Sequence, residues 1–205
     1  MSNENLSLIL ASGSPRRREF FTRMGWTFTV VKPGTEERVH PGETPEQYVR
    51  RNAEEKSADA LAAAPAAGVP GPAVAVAADT VVVQNGRILE KPKDAADAHR
   101  MLRELSGRTH QVMTGICVLG PAPAEPYRDV VVTDVEFKPL SDAEIDAYVA
   151  TGEPADKAGA YAIQGLAAYM IRAIRGSYTN VVGLPLAEVV DALSTRFSLH
   201  PRLSP

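Results

Sequence analysis

The chain has 205 residues, a formal net charge of −3, and 44% hydrophobic against 23% charged residues. That is enough for one sizeable domain or two small lobes of ordinary globular composition. The mild acidic balance argues against a general nucleic-acid binder, which carries a basic excess, but leaves room for a local basic cluster. The lone cysteine, Cys117, excludes an intrachain disulfide and a metal–thiolate cluster. Its apolar neighbours mark it as a buried structural thiol. His40, His99, His110 and His200 show no ligand-like spacing, so no zinc site is expected. The opening Met-Ser-Asn-Glu-Asn has no basic region, and the apolar run at residues 6–11 is too short for a leader or a membrane span. The expectation is a cytoplasmic protein with no membrane or nucleic-acid partner.

In chain order, residues 6–11 read as a strand that ends in Ser12-Gly13-Ser14-Pro15-Arg16-Arg17-Arg18. Ser14 stands as an N-cap and Pro15 as the first helical residue. Free N–H groups and the positive end of a helix dipole favour an anion there, and arginine forks add bidentate phosphate contacts. This strand–loop–helix points to a nucleotide or another phosphorylated small molecule. The helix runs to about Met24 and stops at Gly25. Residues 26–31 read as a second strand, and residues 32–42 as a loop holding Glu36-Glu37. Thr44-Pro45-Glu46-Gln47 is a capping box opening a helix to residue 61 or 63. Lys56, on this helix, reads most plainly as the partner of a helix-neighbour acid such as Asp59. The Ala/Pro/Gly-rich residues 62–72 form an expected flexible loop.

Residues 74–77 predict a short buried strand that breaks at Ala78-Asp79-Thr80 and resumes at residues 81–83. A carboxylate at that break is costly unless paired, hydrated or holding a metal. It reads as a metal ligand or as a general base for attack of water on a phosphoryl group. Asn85-Gly86 is a hairpin turn to a return strand at residues 87–89, and Glu90-Lys91-Pro92 closes it, with Lys91 in reach of phosphates. Asp94 caps a helix to about Leu105. Residues 109–119 and 127–137 read as long strands, and Ser141-Asp142-Ala143-Glu144 as a second capping box whose helix ends near Val149.

Residues 156–165 are dense in small side chains and carry Gln164. Small residues let a backbone approach a planar ligand closely. Gln164 offers one donor and one acceptor, which matches N3–H and O4 of uracil or thymine. Residues 169–174 read as a strand, residues 176–185 as a loop, residues 185–195 as a last helix, and residues 201–205 as a frayed tail. Tight turns between neighbouring strands imply antiparallel pairs. The fold class is therefore α/β with a mixed sheet, read as one domain of two lobes over residues 1–205 around a cleft.

Taken together and in order, these segments resemble the Maf family of nucleoside triphosphate pyrophosphatases. The likeness is carried by residues 12–17, Glu37, Lys56, Ala78-Asp79-Thr80-Val81-Val82, Lys91-Pro92 and Leu105-Ser106-Gly107. It continues through His110-Gln111-Val112 with Thr114-Gly115, residues 156–165 and residues 181–186, and so covers nearly the whole chain. The resemblance implies a two-lobed α/β fold related to inosine triphosphatases, with a nucleotide cleft and often a homodimer. It also implies hydrolysis between the α and β phosphates to a monophosphate and pyrophosphate. A divalent cation is needed, usually Mg²⁺, with Mn²⁺ the second candidate. Asp79 matches the family's proton acceptor. Arg16, Thr80 and Gln164 match the branch acting on dTTP and UTP, whereas Ala162 stands where the family has glycine. Glu37 and Asp79 are the expected metal ligands, and Ser14, Arg16, Arg17, Lys56, Thr80, Lys91 and Gln164 the substrate contacts. The family's link to arrest of septum formation gives an alternative: a nucleotide-binding regulator of cell division.

Overall fold

The computed structural model describes residues 6–203; the opening Met-Ser-Asn-Glu-Asn and residues 204–205 of the expected frayed tail lie outside the described residues. The elements are β1 (Ser7–Leu10), α1 (Pro15–Arg23), β2 (Thr29–Val30), α2 (Pro45–Ala63), β3 (Ala73–Gln84), β4 (Arg87–Leu89) and α3 (Ala95–Leu105). They continue as β5 (Thr109–Leu119), β6 (Tyr127–Phe137), α4 (Asp142–Ala150), β7 (Ile171–Arg175), α5 (Tyr178–Val182) and α6 (Leu186–Phe197). The strands form one sheet in the order β2-β1-β3-β5-β6-β7, with β4 on β3. β1 lies parallel to β2 and to β3, pairing Ser7 with Ala73 and Leu10 with Val76. β3–β4 and β6–β7 are antiparallel. The sheet is thus mixed and the chain α/β, as its sequence pattern implies. No helix of the described residues is long and apolar enough to cross a membrane.

The chain forms two compact units. The first takes Met1–Asp79, Gly115–Val130 and Gly183–Pro205, as far as these are described, and the second takes Thr80–Thr114 and Val131–Val182. In the first unit, Ile9, Val31, Ala60, Ala73, Ala75 and Ala77 are among the apolar side chains forming a core cluster of β1, α2 and β3. Small alanines on β3 let the helix lie close to the strand. In the second unit, Leu102 and Leu105 of α3, Ile145 and Tyr148 of α4, and Val135 and Phe137 of β6 pack with Tyr161 and Met170. Burying such side chains is worth roughly 1.5–3 kcal/mol each.

Local chemistry explains the elements. Thr44 and Ser141 each close a complete capping box, with Gln47 and Glu144 reaching back, and Asp94 accepts from the Asp97 N–H. Several expectations are corrected. The strand does not break at Asp79: β3 runs unbroken through it, because the carboxylate is paired and its backbone stays in the ladder. The second strand shrinks to Thr29–Val30, since Trp26 instead packs edge-on to Phe21 and donates its indole N–H to His200 O at 3.1 Å. Residues 166–170 wind into a 3-10 turn before β7. The expected loop after Gly176 contains α5, where the Asn180 N–H donates to Ser177 Oγ at 3.2 Å.

Candidate active site

Asp79 sits on β3 and is only 5% exposed. A buried charge is costly unless paired and hydrogen-bonded, and α2 supplies both needs. Asn52 and Lys56 are one turn apart on that helix and share a face. The Lys56 ammonium, 6% exposed, donates to Asp79 Oδ1 at 2.6 Å and also lies 2.6 Å from Glu37 Oε1. Asn52 Nδ2 donates to Asp79 Oδ2 at 3.0 Å. Asn52 Oδ1 accepts from Arg51 Nη1 at 3.1 Å, and this fixes which end of the amide faces Asp79, because an arginine can only donate. Arg51 in turn grips Glu43 at 2.7 and 2.9 Å, which holds the Glu43 carboxyl down at about 2. The helix can come this close because β5 carries Gly115: a Cβ there would stand 2.2 Å from Val49 O.

The loop between β1 and α1 is in the same unit. The Ser14 N–H donates to Ser12 Oγ at 3.2 Å, and Ser14 holds the N-cap position by its extended backbone rather than by a side-chain cap, which corrects the expected one. Arg17 points inward. Its Nε donates to Gly183 O at 2.7 Å, and its Nη1 donates to Ala78 O at 2.8 Å and Ser12 Oγ at 3.2 Å. Arg17 therefore ties the loop to the carbonyl directly before Asp79. Burial pulls its guanidinium below the ordinary arginine pKa, while the Asp79 and Glu37 carboxylates act in the opposite sense. Arg16 is half-buried beside it in the sequence. Thus Glu37, Lys56, Asp79 and Arg17 come together in one charged group.

Thr80, Lys91 and Gln164 belong to the second unit. The Thr80 and Thr114 hydroxyls are 2.9 Å apart, and Thr114 Oγ1 donates to Asn180 O at 3.3 Å. Asn180 is itself fully buried and donates to Val112 O and Thr133 Oγ1. Lys91 is exposed just after β4. Gln164 is exposed in a turn between two 3-10 segments, where the Gly165 N–H donates to Ala162 O at 3.0 Å.

Lys56 does not pair with its helix neighbour: Asp59 accepts from Thr35 Oγ1 at 2.6 Å, while Lys56 turns to Asp79 and Glu37. Desolvation decides this, because a buried ammonium gains most from the buried carboxylate. Sequence reasoning missed Asn52, whose signal was its i, i+4 spacing from Lys56. Cys117 is buried, receives Ser57 Oγ at 3.1 Å and has its thiol pKa raised by burial.

Among the described residues, no group of three or more His, Cys, Asp or Glu side chains is placed to hold a metal ion. The donor set still fits Mg²⁺, which takes one or two carboxylates and fills its other positions with water and substrate phosphates. Glu37 and Asp79 flank one ammonium, and a carboxylate has roughly four lone-pair positions, so each keeps acceptor capacity.

The fold and this group of carboxylates and cations define an α/β protein equipped to handle a phosphorylated ligand. A family model described as Maf-like protein matches residues 7–196, and the chain belongs to the Maf family. A relative from Anaeromyxobacter dehalogenans (strain 2CP-C) is 53% identical over 188 residues, 91% of this chain and 92% of the relative. One from Geotalea uraniireducens (strain Rf4) is 51% identical over 193 residues, 94% of this chain and 96% of the relative. One from Escherichia coli O157:H7 is 51% identical over 197 residues, 96% of both. All three are named dTTP/UTP pyrophosphatase. Among solved structures, the Ham1 protein of Staphylococcus aureus matches with a TM-score of 0.42 and 18% identity, over 64% of this chain and 71% of that one.

Proposed function

We propose that the chain is a nucleoside triphosphate pyrophosphatase that hydrolyses dTTP and UTP to the monophosphate and pyrophosphate. The observation that carries this reading is the 51–53% identity, over more than nine-tenths of the chain, to relatives named dTTP/UTP pyrophosphatase. Those names support an enzyme rather than a regulator of septum formation. The charged group at Asp79 supports the same reading, because sensing a nucleotide needs no buried base held in place from both sides.

Asp79 is the proton acceptor in this proposal. Lys56 on Oδ1 and Asn52 on Oδ2 fix its plane, so it can orient an attacking water without reorganising. Arg16, Lys56 and Lys91 carry the positive charge that holds the triphosphate, with Ser14 at the anion-binding loop, and that charge stabilises the departing pyrophosphate. Arg17, through its bonds to Ala78 O and Gly183 O, supports the backbone on which Asp79 stands. Glu37 and Asp79 would hold Mg²⁺, or Mn²⁺ in its place; when bound, the ion neutralises phosphate oxygens and orients the chain of phosphates. Thr80 and Gln164 select the base, Gln164 by pairing one donor and one acceptor with the pyrimidine edge.

The test is to incubate the purified protein with Mg²⁺ and dTTP, UTP, CTP, 7-methyl-GTP or dITP, and to resolve monophosphate, pyrophosphate and orthophosphate. Monophosphate plus pyrophosphate, fastest from dTTP and UTP, is the expected result. Orthophosphate as first product, or fastest turnover of 7-methyl-GTP or dITP, would overturn it.

A further inference from the structure

Gln164 is exposed and lies in a turn, yet base selection needs its amide held in one place. The backbone on either side of it is anchored, and the anchors are two side chains outside the segment. The Ala162 N–H donates to Tyr148 Oη at 3.3 Å, two residues before Gln164. The Leu166 N–H donates to Glu153 Oε2 at 3.0 Å, two residues after it. Tyr148 Oη donates to Glu153 Oε1 at 2.8 Å, so both anchors are joined to each other.

The pair is built in. Tyr148 is 3% exposed on α4, its ring within the core of the second unit. Burial, then the neighbouring Glu153 carboxylate, raises its phenol pKa, so it stays the neutral donor. The Thr151 Oγ1 accepts from the Glu153 N–H at 3.2 Å and donates to Tyr148 O at 2.7 Å, which locks the short connection between the two anchors. The carboxylate is packed hard against the turn: a Cβ at Gly165 would stand 2.3–2.4 Å from Glu153 Oε1, Cδ and Oε2. An ionised carboxylate accepts one hydrogen bond at each oxygen here, from a hydroxyl and from a backbone N–H, and so spans the turn.

We infer that Tyr148 and Glu153 are positioning residues for base specificity: together they clamp the backbone at Ala162 and Leu166 and thereby fix the Gln164 amide. The inference rests on the pyrimidine triphosphate reading of the site. Neither residue touches the base; both act through Gln164. The clamp sets a preference, because a loosened turn loses the paired contact with a uracil or thymine edge while the phosphate contacts are untouched.

The experiment measures kcat and KM for dTTP, UTP and CTP with Mg²⁺ for the full chain and for Glu153→Ala, Glu153→Gln and Tyr148→Phe. In Glu153→Ala, KM for dTTP and UTP rises about 10-fold, the size of one lost charge-assisted hydrogen bond, while kcat and the values for CTP stay within 2-fold, roughly. Glu153→Gln, which keeps an acceptor for the Leu166 N–H and offers an N–H to Tyr148 Oη in place of the carboxylate oxygen, so that the phenol accepts where it donated, restores most of the preference. Tyr148→Phe keeps the ring in the core and loses about 3-fold in the dTTP/CTP ratio, so the inference is tested even where Glu153→Ala fails to fold. An unchanged ratio in Glu153→Ala and in Tyr148→Phe, or an equal fall of kcat on every nucleotide, overturns the clamp. Wild-type protein that fails to hydrolyse dTTP and UTP in the same assay overturns instead the reading on which it rests.

Discussion

Two regions carry the proposed activity, and they are held in different ways. Around Asp79 the functional side chains sit on regular elements, a strand and a long capped helix, and are bound by full charges: Lys56 on Asp79 and on Glu37, and Arg51 on Glu43. Around Gln164 the chain has only short 3-10 turns, and the fixing is done by backbone N–H groups on a phenol and a carboxylate, with His110 Nε2 2.8 Å from Tyr161 Oη. Charges on rigid elements suit chemistry, where a misplaced base costs orders of magnitude. Hydrogen-bonded turns suit selection, where the energies that separate one base from another are small. The comparison predicts that damage to the first region falls on kcat and stability, and damage to the second on preference.

The largest effect is expected for Asp79→Asn. The amide keeps the shape, but it offers one acceptor oxygen to two donors, Lys56 Nζ and Asn52 Nδ2, and it cannot take a proton. Turnover should fall by about 10²–10⁴-fold, with nucleotide binding retained in a calorimetric titration. A variant turning over near the wild-type rate would remove Asp79 from its assigned role. Lys56→Met comes next. It removes the ammonium that donates to the buried Asp79 carboxylate at 2.6 Å, so denaturant unfolding should show a loss of about 3–5 kcal/mol, and activity should fall with it. Stability equal to wild type would mean that the ammonium is not the counter-charge of the buried pair.

Gly165→Ala probes the other side of the comparison. Its methyl would strike the Glu153 carboxylate, which must swing away and release Leu166 N or Tyr148 Oη. The dTTP-over-CTP ratio of kcat/KM should drop roughly 5-fold, less than the loss of the whole carboxylate because one of its two hydrogen bonds is kept, with kcat on CTP unchanged. A fall in kcat on all nucleotides would show that the two regions are not functionally separable in the way their construction implies.

The two regions also differ in how well the sequence discloses them. Ser14, Arg17 and Asp79 are legible because a strand running into Ser-Pro-Arg-Arg, and a carboxylate inside a valine run, each violate a local pattern for which chemistry is the simplest reason. The caps at Thr44, Asp94 and Ser141 are legible for the same reason, since capping is local. What could not be read is anything that depends on a partner distant in sequence. Lys56 takes Asp79 and Glu37 over Asp59 because of burial, and β3 continues through Asp79 because Lys56 is there. Asn52 shows only its i, i+4 spacing from Lys56, and that spacing points to chemistry only once Lys56 is known to face Asp79, since an asparagine inside a helix is ordinarily a poor helix former facing water. Residues 169–170 read as the start of a strand, yet they close a 3-10 turn that begins at Leu166, whose N–H is held by Glu153.

A last prediction separates charge from neutrality in the second region. His110 is 2% exposed, lies edge-on to Phe137 and Tyr161, and burial lowers its pKa to about 4. In the unfolded chain the imidazole titrates near 6.5. Between those values the unfolded chain binds a proton that the folded chain does not, so stability falls as pH falls through that window. The loss comes to roughly 2 kcal/mol between pH 8 and pH 5 from this group. In His110→Gln, which keeps a hydrogen-bonding group beside Tyr161 Oη and does not titrate, that part of the slope should vanish. Urea unfolding of both proteins at pH 8 and pH 5 checks it: a shallower decline in the variant means that the aromatic anchor of the Gln164 segment works only while neutral, whereas parallel declines would place the acid sensitivity elsewhere and remove His110 from the account of what holds that segment.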